Sequence, residues 1–225
     1  MIFYYVALAK IFAVIAVLLV ALLYLQWVER KVIAHIQVRP GPYRVGPHGL
    51  LQPVADALKL LTKEDLVPAG ANKFLYLLAP FLAITLALIP IAVIPFGPVI
   101  EVAGTVTAMQ ITDISIGVLF ILAISSLMVY GIVLGGWASN SKYPLLGGLR
   151  ASAQLVSYEL PLGMAVAAVL LLSNTLSLRE IVDTQANYYW GFFPAWNIFR
   201  APFPQVFSFI IFVVAVFAET NRIPF

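Results

Sequence analysis

From Ile2 to Val28 the chain runs about 27 residues with a single charge, Lys10. A bilayer is crossed by roughly 20 apolar residues. In lipid a backbone has no water to bond to, so a run of this kind is predicted to be helix, with its hydrogen bonds closed internally. Similar runs follow from Phe74 to about Phe96, from Asp113 to about Trp137, from about Arg150 to Leu172, and from about Gln205 to Ala218. The last is too short to cross unaided and must borrow flanking residues. The predicted fold class is thus an all-α integral membrane protein with about five transmembrane helices, read as one membrane domain over residues 1–225. Composition agrees. The chain is 62% hydrophobic and 10% charged, whereas about a quarter of a soluble domain is charged. No basic segment precedes the first run and no small-residue cleavage site follows it, so it reads as a retained helix rather than a signal peptide.

The charges are unevenly placed. Of 13 basic and 10 acidic residues, ten lie between Glu29 and Asp65, separating the first two apolar runs. With five spans, ten basic residues fall on one side of the membrane and two, Arg179 and Arg200, on the other. The positive-inside rule puts the richer side in the cytoplasm or an equivalent matrix, and the N-terminus outside. Residues 29–65 then form a cytoplasmic loop, and its composition predicts structure. Seven of the fifteen residues from Arg39 to Pro53 are proline or glycine, which predicts a defined irregular path. After it, Leu50, Leu51, Val54, Leu58 and Leu61 recur at helical spacing, with Asp56, Lys59 and Lys63 on the opposite face. That is an amphipathic helix, suited either to the membrane surface or to an ordinary solvated face. Arg30 and Lys31 directly after a span also fit simple positive-inside anchors.

Acids inside apolar runs are costly and mark sites by default. Glu159, in RASAQLVSYELPLGM, lies about ten residues into the fourth run. Arg150, Gln154 and Ser157 share another helix face, so Glu159 needs a partner from a different helix, or a proton. Pro161 removes the donor for the Ser157 carbonyl and predicts a kink or local water. Glu219 closes the fifth run in AETNRIPF, where Arg222, three residues on, is a possible ion-pair partner. Asp113 reads as a helix-start residue near the positive dipole end.

Other chemistry is absent from the pattern. The chain has no cysteine, and both histidines, His35 and His48, lie in the first loop. Cysteine-ligated clusters, disulfides and intrahelical haem ligation are therefore not expected. No phosphate-binding glycine loop and no Ser/His/Asp set appear, so no catalytic residue, bound cofactor or metal is expected on this chain alone. Net charge of +3 without a basic tail gives no reason to expect nucleic acid.

Four ordered motifs carry a resemblance: ERK at 29–31, RPGPYRVGPHGLLQPVADALKLLTKE at 39–64, GWASNSKYPLLGGLRASAQLVSYE at 136–159 and AETNRIPF at 218–225. Together they closely resemble the membrane H subunit family of respiratory complex I, subunit 1 in mitochondrial naming. The resemblance implies a non-redox membrane subunit of a proton-translocating NADH:quinone oxidoreductase. Its partners would be the other membrane and peripheral subunits, a lipid quinone as substrate, and membrane lipid. FMN and iron–sulfur clusters would sit in partner subunits. The resemblance puts Glu29, Arg30, Arg39 and Asp56 at the quinone tunnel and arm junction, and Glu159 and Glu219 on the proton path. It implies a bacterial cytoplasmic membrane or a mitochondrial inner membrane. The family pattern runs on past AETNRIPF into an acidic loop and further spans, so relative to it the chain is expected to be C-terminally truncated. Two other readings are the homologous subunit of a membrane-bound hydrogenase and a free-standing transporter or proton channel. The lack of internal repeats argues against the latter.

Overall fold

The computed structural model describes residues 2–102, 105–189, 193–199 and 205–220. They form two compact units, Met1–Leu66 and Val67–Phe225. Helices dominate both, and the expected all-α membrane class holds. Four helices are long and apolar enough to cross a membrane, and a fifth apolar helix is shorter. Their outward side chains invert the pattern of a soluble protein: Phe12 is 77% exposed, Phe81 63% and Leu171 84%. Such a surface is stable against lipid, not water.

In the first unit, α1 runs from Ile2 to Ile36, 35 residues without a break. At 1.5 Å per residue it is about 52 Å long, well over the ~30 Å hydrocarbon core. Glu29, Arg30 and Lys31 thus ride on the last turns of a helix rather than opening a loop. The helix ends where Val38 turns to a φ of 53° and Pro40 follows. The Val38 amide bonds the His35 carbonyl at 3.1 Å and Arg39 bonds Ala34 at 2.9 Å, closing the end. A proline- and glycine-rich path leads through a 3-10 turn at Pro47–Gly49 into α2, Gln52–Thr62. Pro53 lies in the first turn of α2, where a missing N–H breaks no bond.

In the second unit, α3 spans Lys73–Leu88, and the Asn72 side chain caps it by accepting from the Leu75 amide at 3.3 Å. Pro90 helps tighten the continuation, Ile89–Val93, into a 3-10 turn. Next come α4 (Gly117–Ala138), α5 (Lys142–Ser173), the short α6 (Leu178–Gln185) and α7 (Val206–Glu219). α4 packs between α3 and α5, and α5 packs on α7. Small residues permit the close approach. A Cβ on Gly131 would lie 3.1 Å from the Ala79 carbonyl oxygen, and one on Gly148 would lie 3.2 Å from that of Ile132.

Two expectations need adjustment, and one connection adds structure. Arg150 does not start a helix, because α5 begins at Lys142. Asp113 lies four residues ahead of α4, whose N-cap position is Ile116, so it does not cap that helix. The connection after α3 is no simple loop. Strands β1 (Gly97–Val102) and β2 (Thr105–Met109) pair antiparallel, with Val102 opposite Thr105. α5 also continues through Pro161.

Candidate functional site

Two groups of polar side chains stand out, one in each unit. The first joins α1 to α2. Arg30 Nη1 lies 2.5 Å from Asp56 Oδ2, and Gln52 Nε2 donates to Asp56 Oδ1 at 3.0 Å. One turn of α2 therefore supplies both the acid and a donor to its second oxygen, and the guanidinium arrives from α1. Trp27, one turn earlier on α1, lines the same small pocket with Gln26, Pro42 and Pro53. The Gln52–Asp56 edge of α2 is thus turned to α1, while Lys59 and Lys63 are exposed. Leu51, just ahead of α2, and the apolar residues Val54, Leu58 and Leu61 of α2 are 51%, 42%, 59% and 83% exposed.

The hydrogen bond from Gln52, and after it Arg30, holds the Asp56 carboxyl below its ordinary value. A pKa lowered by folding contributes stability that is complete above the unfolded value and is lost as pH falls through the folded one. The clasp is accordingly expected to hold from neutrality down to about pH 4 and to open only in stronger acid. Fluorescence of a variant keeping Trp27 as its sole tryptophan would report this. A transition near pH 6, the histidine range, would contradict it.

The loop between the helices is braced on α1. Lys31 Nζ lies 5.7 Å from the Trp27 ring centroid and 5.5 Å from that of Tyr43, and His48 meets Tyr43 edge-on at 5.6 Å. Lys31 is therefore more than a positive-inside anchor: its charge sits on two aromatic rings. No sequence spacing links Tyr43 to Lys31, because the contact depends on the path of the intervening loop. Gly49, at φ 78°, lies so near the Pro42 carbonyl that a Cβ there would be 2.1 Å from its oxygen. Arg39 is held elsewhere. Glu29 is exposed, and Arg39 Nε donates to Gln37 Oε1 at 2.7 Å.

The second group lies in the helix bundle. Glu159 on α5 accepts a hydrogen bond from Ser126 Oγ on α4, the partner from another helix that the wheel requires. On a different face of α5, Gln154 Nε2 donates to the Ala218 carbonyl of α7 at 3.1 Å. That contact seats Glu219 at the α5–α7 interface. Arg222, the possible ion-pair partner of Glu219, lies outside the described residues. Glu219 also lines a cavity of about 560 Å³ between α4, α5 and α7. A single run of sequence shows neither Ser126 nor this cavity, since both come from helix packing.

The sequence profile of the family described as NADH dehydrogenase matches residues 9–225. Among curated relatives, an H subunit of the NADH-quinone oxidoreductase of Solibacter usitatus is 67% identical over 99% of this chain and 55% of its own length. An H subunit of the NADH-quinone oxidoreductase of Koribacter versatilis is 52% identical over 99% of this chain and 64% of its own. The corresponding H subunit of Geobacter sulfurreducens is 50% identical over 100% and 65%. The chain thus spans 55% to 65% of the length of these relatives. With the family profile covering nearly every residue and relatives this similar, the chain belongs to the NADH dehydrogenase family.

Proposed function

We propose that this chain acts as the H-type membrane subunit of a proton-translocating NADH:quinone oxidoreductase, contributing part of the quinone tunnel and the start of the proton path. The relatives' names support the assembly. The clasp of Arg30, Gln52 and Asp56 carries the site reading. It fixes a charged, hydrogen-bonded group where the apolar α1 meets an amphipathic helix whose oily face is open. An amphipathic helix in the interfacial plane gives a lipid-soluble substrate an apolar approach to a polar site. Glu29 and Arg39, exposed beside it, are read as contacts for the peripheral subunits. Electrons would come from FMN and iron–sulfur centres on those partners.

Glu159 and Glu219 supply the other half of the reading. Two acids set in apolar helices suit a proton relay, because an ionisable group at that depth is costly unless it is paired or exchanges a proton. The basic side, with the clasp, faces the cytoplasm or matrix, and the N-terminus faces out. A bacterial cytoplasmic membrane fits the relatives' sources.

The test is Asp56→Asn in the full-length assembly. The amide keeps an acceptor for Gln52 but loses the charge opposite Arg30. Quinone-linked turnover should fall by about tenfold, while NADH oxidation by a water-soluble artificial acceptor is unchanged. Equal loss of both would signal failed assembly. Retention of both would remove Asp56 from the quinone site.

A further inference from the structure

The connection between α5 and α7 takes no part in the clasp or in the acid pair. Seven of the twelve residues from Tyr188 to Phe199 are aromatic, and no residue from Thr184 to Phe199 is charged. Its polarity is inside out for a loop in water. Asn197 is buried, whereas Tyr188 and Trp196 are 66% and 51% exposed. The buried asparagine ties three helices together. Its amide donates to Gln185 Oε1 of α6 at 3.1 Å. Its carbonyl accepts from the Gln205 amide, just ahead of α7, at 3.2 Å. Its Nδ2 donates to the Oγ of Ser173, the last residue of α5, at 3.5 Å. The Ala195 amide bonds the Asn187 carbonyl at 2.8 Å, and Tyr188 pairs with Pro194. Polar groups are drawn inward and rings are left outside, the reverse of what water favours.

The spans give the depth of this segment. Lys73–Val93 and α4 are 21 and 22 residues long, about 31–34 Å, which matches the ~30 Å hydrocarbon core. They are level at both ends. The Asn72 amide bonds the Ala138 carbonyl at 3.0 Å, and a Cβ on Gly117 would lie 3.4 Å from Val93 Cγ1. The Val93–Gly117 end therefore marks one edge of the hydrocarbon. The chain leaving α5 lies at that edge, where the Val118 amide donates to the Leu176 carbonyl at 3.1 Å. Gln205 Nε2 donates to the Ala168 carbonyl, five residues before Ser173. Ser173, and Asn197 with it, thus stands about 7 Å beyond the start of α7. A head-group layer is about 5–7 Å thick. The lipid-facing surface runs up to this level, since Leu171 in the last turn of α5 and Phe207 in the first turn of α7 are both exposed.

We infer that the segment from Tyr188 to Trp196 is an interfacial anchor, its exposed tyrosine and tryptophan rings lying among the glycerol and phosphate groups of the phospholipid leaflet at this end of the bundle. These two residue types favour that level, because the ring meets hydrocarbon while its O–H or N–H meets lipid oxygen and water. The anchor serves α7. Its 14 residues give about 21 Å, too short to cross the core alone, and a segment held at the lipid surface and tied through Asn197 fixes where α7 starts. The anchor involves neither the quinone site nor the acid pair, so its failure and theirs are distinguishable.

The full-length assembly in nanodiscs tests this with two photoreactive phosphatidylcholines, one carrying a diazirine at its head group and one at its acyl-chain end. The head-group probe should label the peptide bearing Tyr188 and Trp196 about fivefold or more above the chain-end probe, because the two reporters sit ~15 Å apart in depth. Replacing both rings, Tyr188→Ser with Trp196→Ser, should cut that labelling severalfold, and the exchange Tyr188→Trp with Trp196→Tyr should restore it. The wild-type map decides by itself, so a poorly folded variant does not rescue the idea. Chain-end labelling equal to or above head-group labelling would place the segment in hydrocarbon. Labelling only by a water-soluble diazirine would place it in solvent, and crosslinks to another subunit would assign the surface to protein. Each of these results overturns the anchor.

Discussion

Glu159→Gln in the full-length assembly will leave the subunit in place and cut quinone-linked proton pumping by at least about tenfold, a barrier increase of about 1.4 kcal/mol. The amide is close in size to the acid, and its oxygen can still accept from Ser126 Oγ on α4. Packing of α5 on α4 is therefore preserved, and stability should change by no more than about 1 kcal/mol. What the amide cannot do is gain or lose a proton. Ser126→Ala separates the two roles. It deletes the hydrogen bond and keeps the titrating group, so pumping should fall less, by about threefold. Proton uptake in sealed vesicles, scored against electron transfer in the same sample, distinguishes these outcomes. Normal pumping by the glutamine variant would remove Glu159 from the relay.

The spans were legible because lipid imposes one rule, that backbone polar groups close within the helix. Hydropathy located α3, α4 and α7 to within a few residues, apart from the 3-10 turn that ends the second span. It missed the last turns of α1 and the first turns of α5, because charged residues at a membrane surface look like loop whether or not the helix continues. Glu29–Lys31 and Lys142–Arg150 are both such cases. The hairpin β1–β2 did carry a signal. Val99, Ile100 and Val102 precede the small pair Ala103-Gly104, and Thr105, Val106 and Thr107 follow, two β-branched runs set close together in sequence.

The candidate site divides in the same way. Asp56 and Arg30 were named by the family resemblance, since their charges alone fitted a solvated face and a positive-inside anchor, whereas Glu159 stood out as an acid in oil. Their partners did not. Gln52 is four residues from Asp56 and lies on the same face of α2, so the helical wheel could have found it. Arg30 is 26 residues away, and Ser126 is 33 from Glu159. Contacts at that separation depend on the loop path and on helix packing. The Lys31 contact with Tyr43 is of the same kind. Periodicity names the side chains that must find partners, and tertiary structure supplies those partners.

Gly49→Ala, one methyl group, should do more damage to the clasp than removing any single one of its charges. The added Cβ would meet the Pro42 carbonyl oxygen at 2.1 Å and its carbon at 2.4 Å. Both are backbone atoms, so no rotamer change relieves the clash. Pro42 cannot rotate about φ to make room. Gly49 is also at φ 78°, where an alanine costs about 1 kcal/mol before any contact is counted. The loop must shift as a body, and it is tied at both ends. Gly41 packs on Ala34 and Lys31 of α1, while the Leu51 amide bonds the Val45 carbonyl at the entrance to α2. Displacing Pro42 and Gly49 apart therefore moves α2 against α1 and pulls Asp56 from Arg30. The expected cost is about 3 kcal/mol or more, in the range of strained backbone sites combined with overpacking. Gly163→Ala is the control, because a Cβ there meets nothing within 4 Å. Protease sensitivity of residues 37–51 and quinone-linked turnover should both change sharply in the first variant and little in the second. A Gly49→Ala protein with wild-type protection would mean that the loop can open around Pro42 without disturbing the Arg30–Asp56 pair, and the clasp would then not be set by the proline–glycine path.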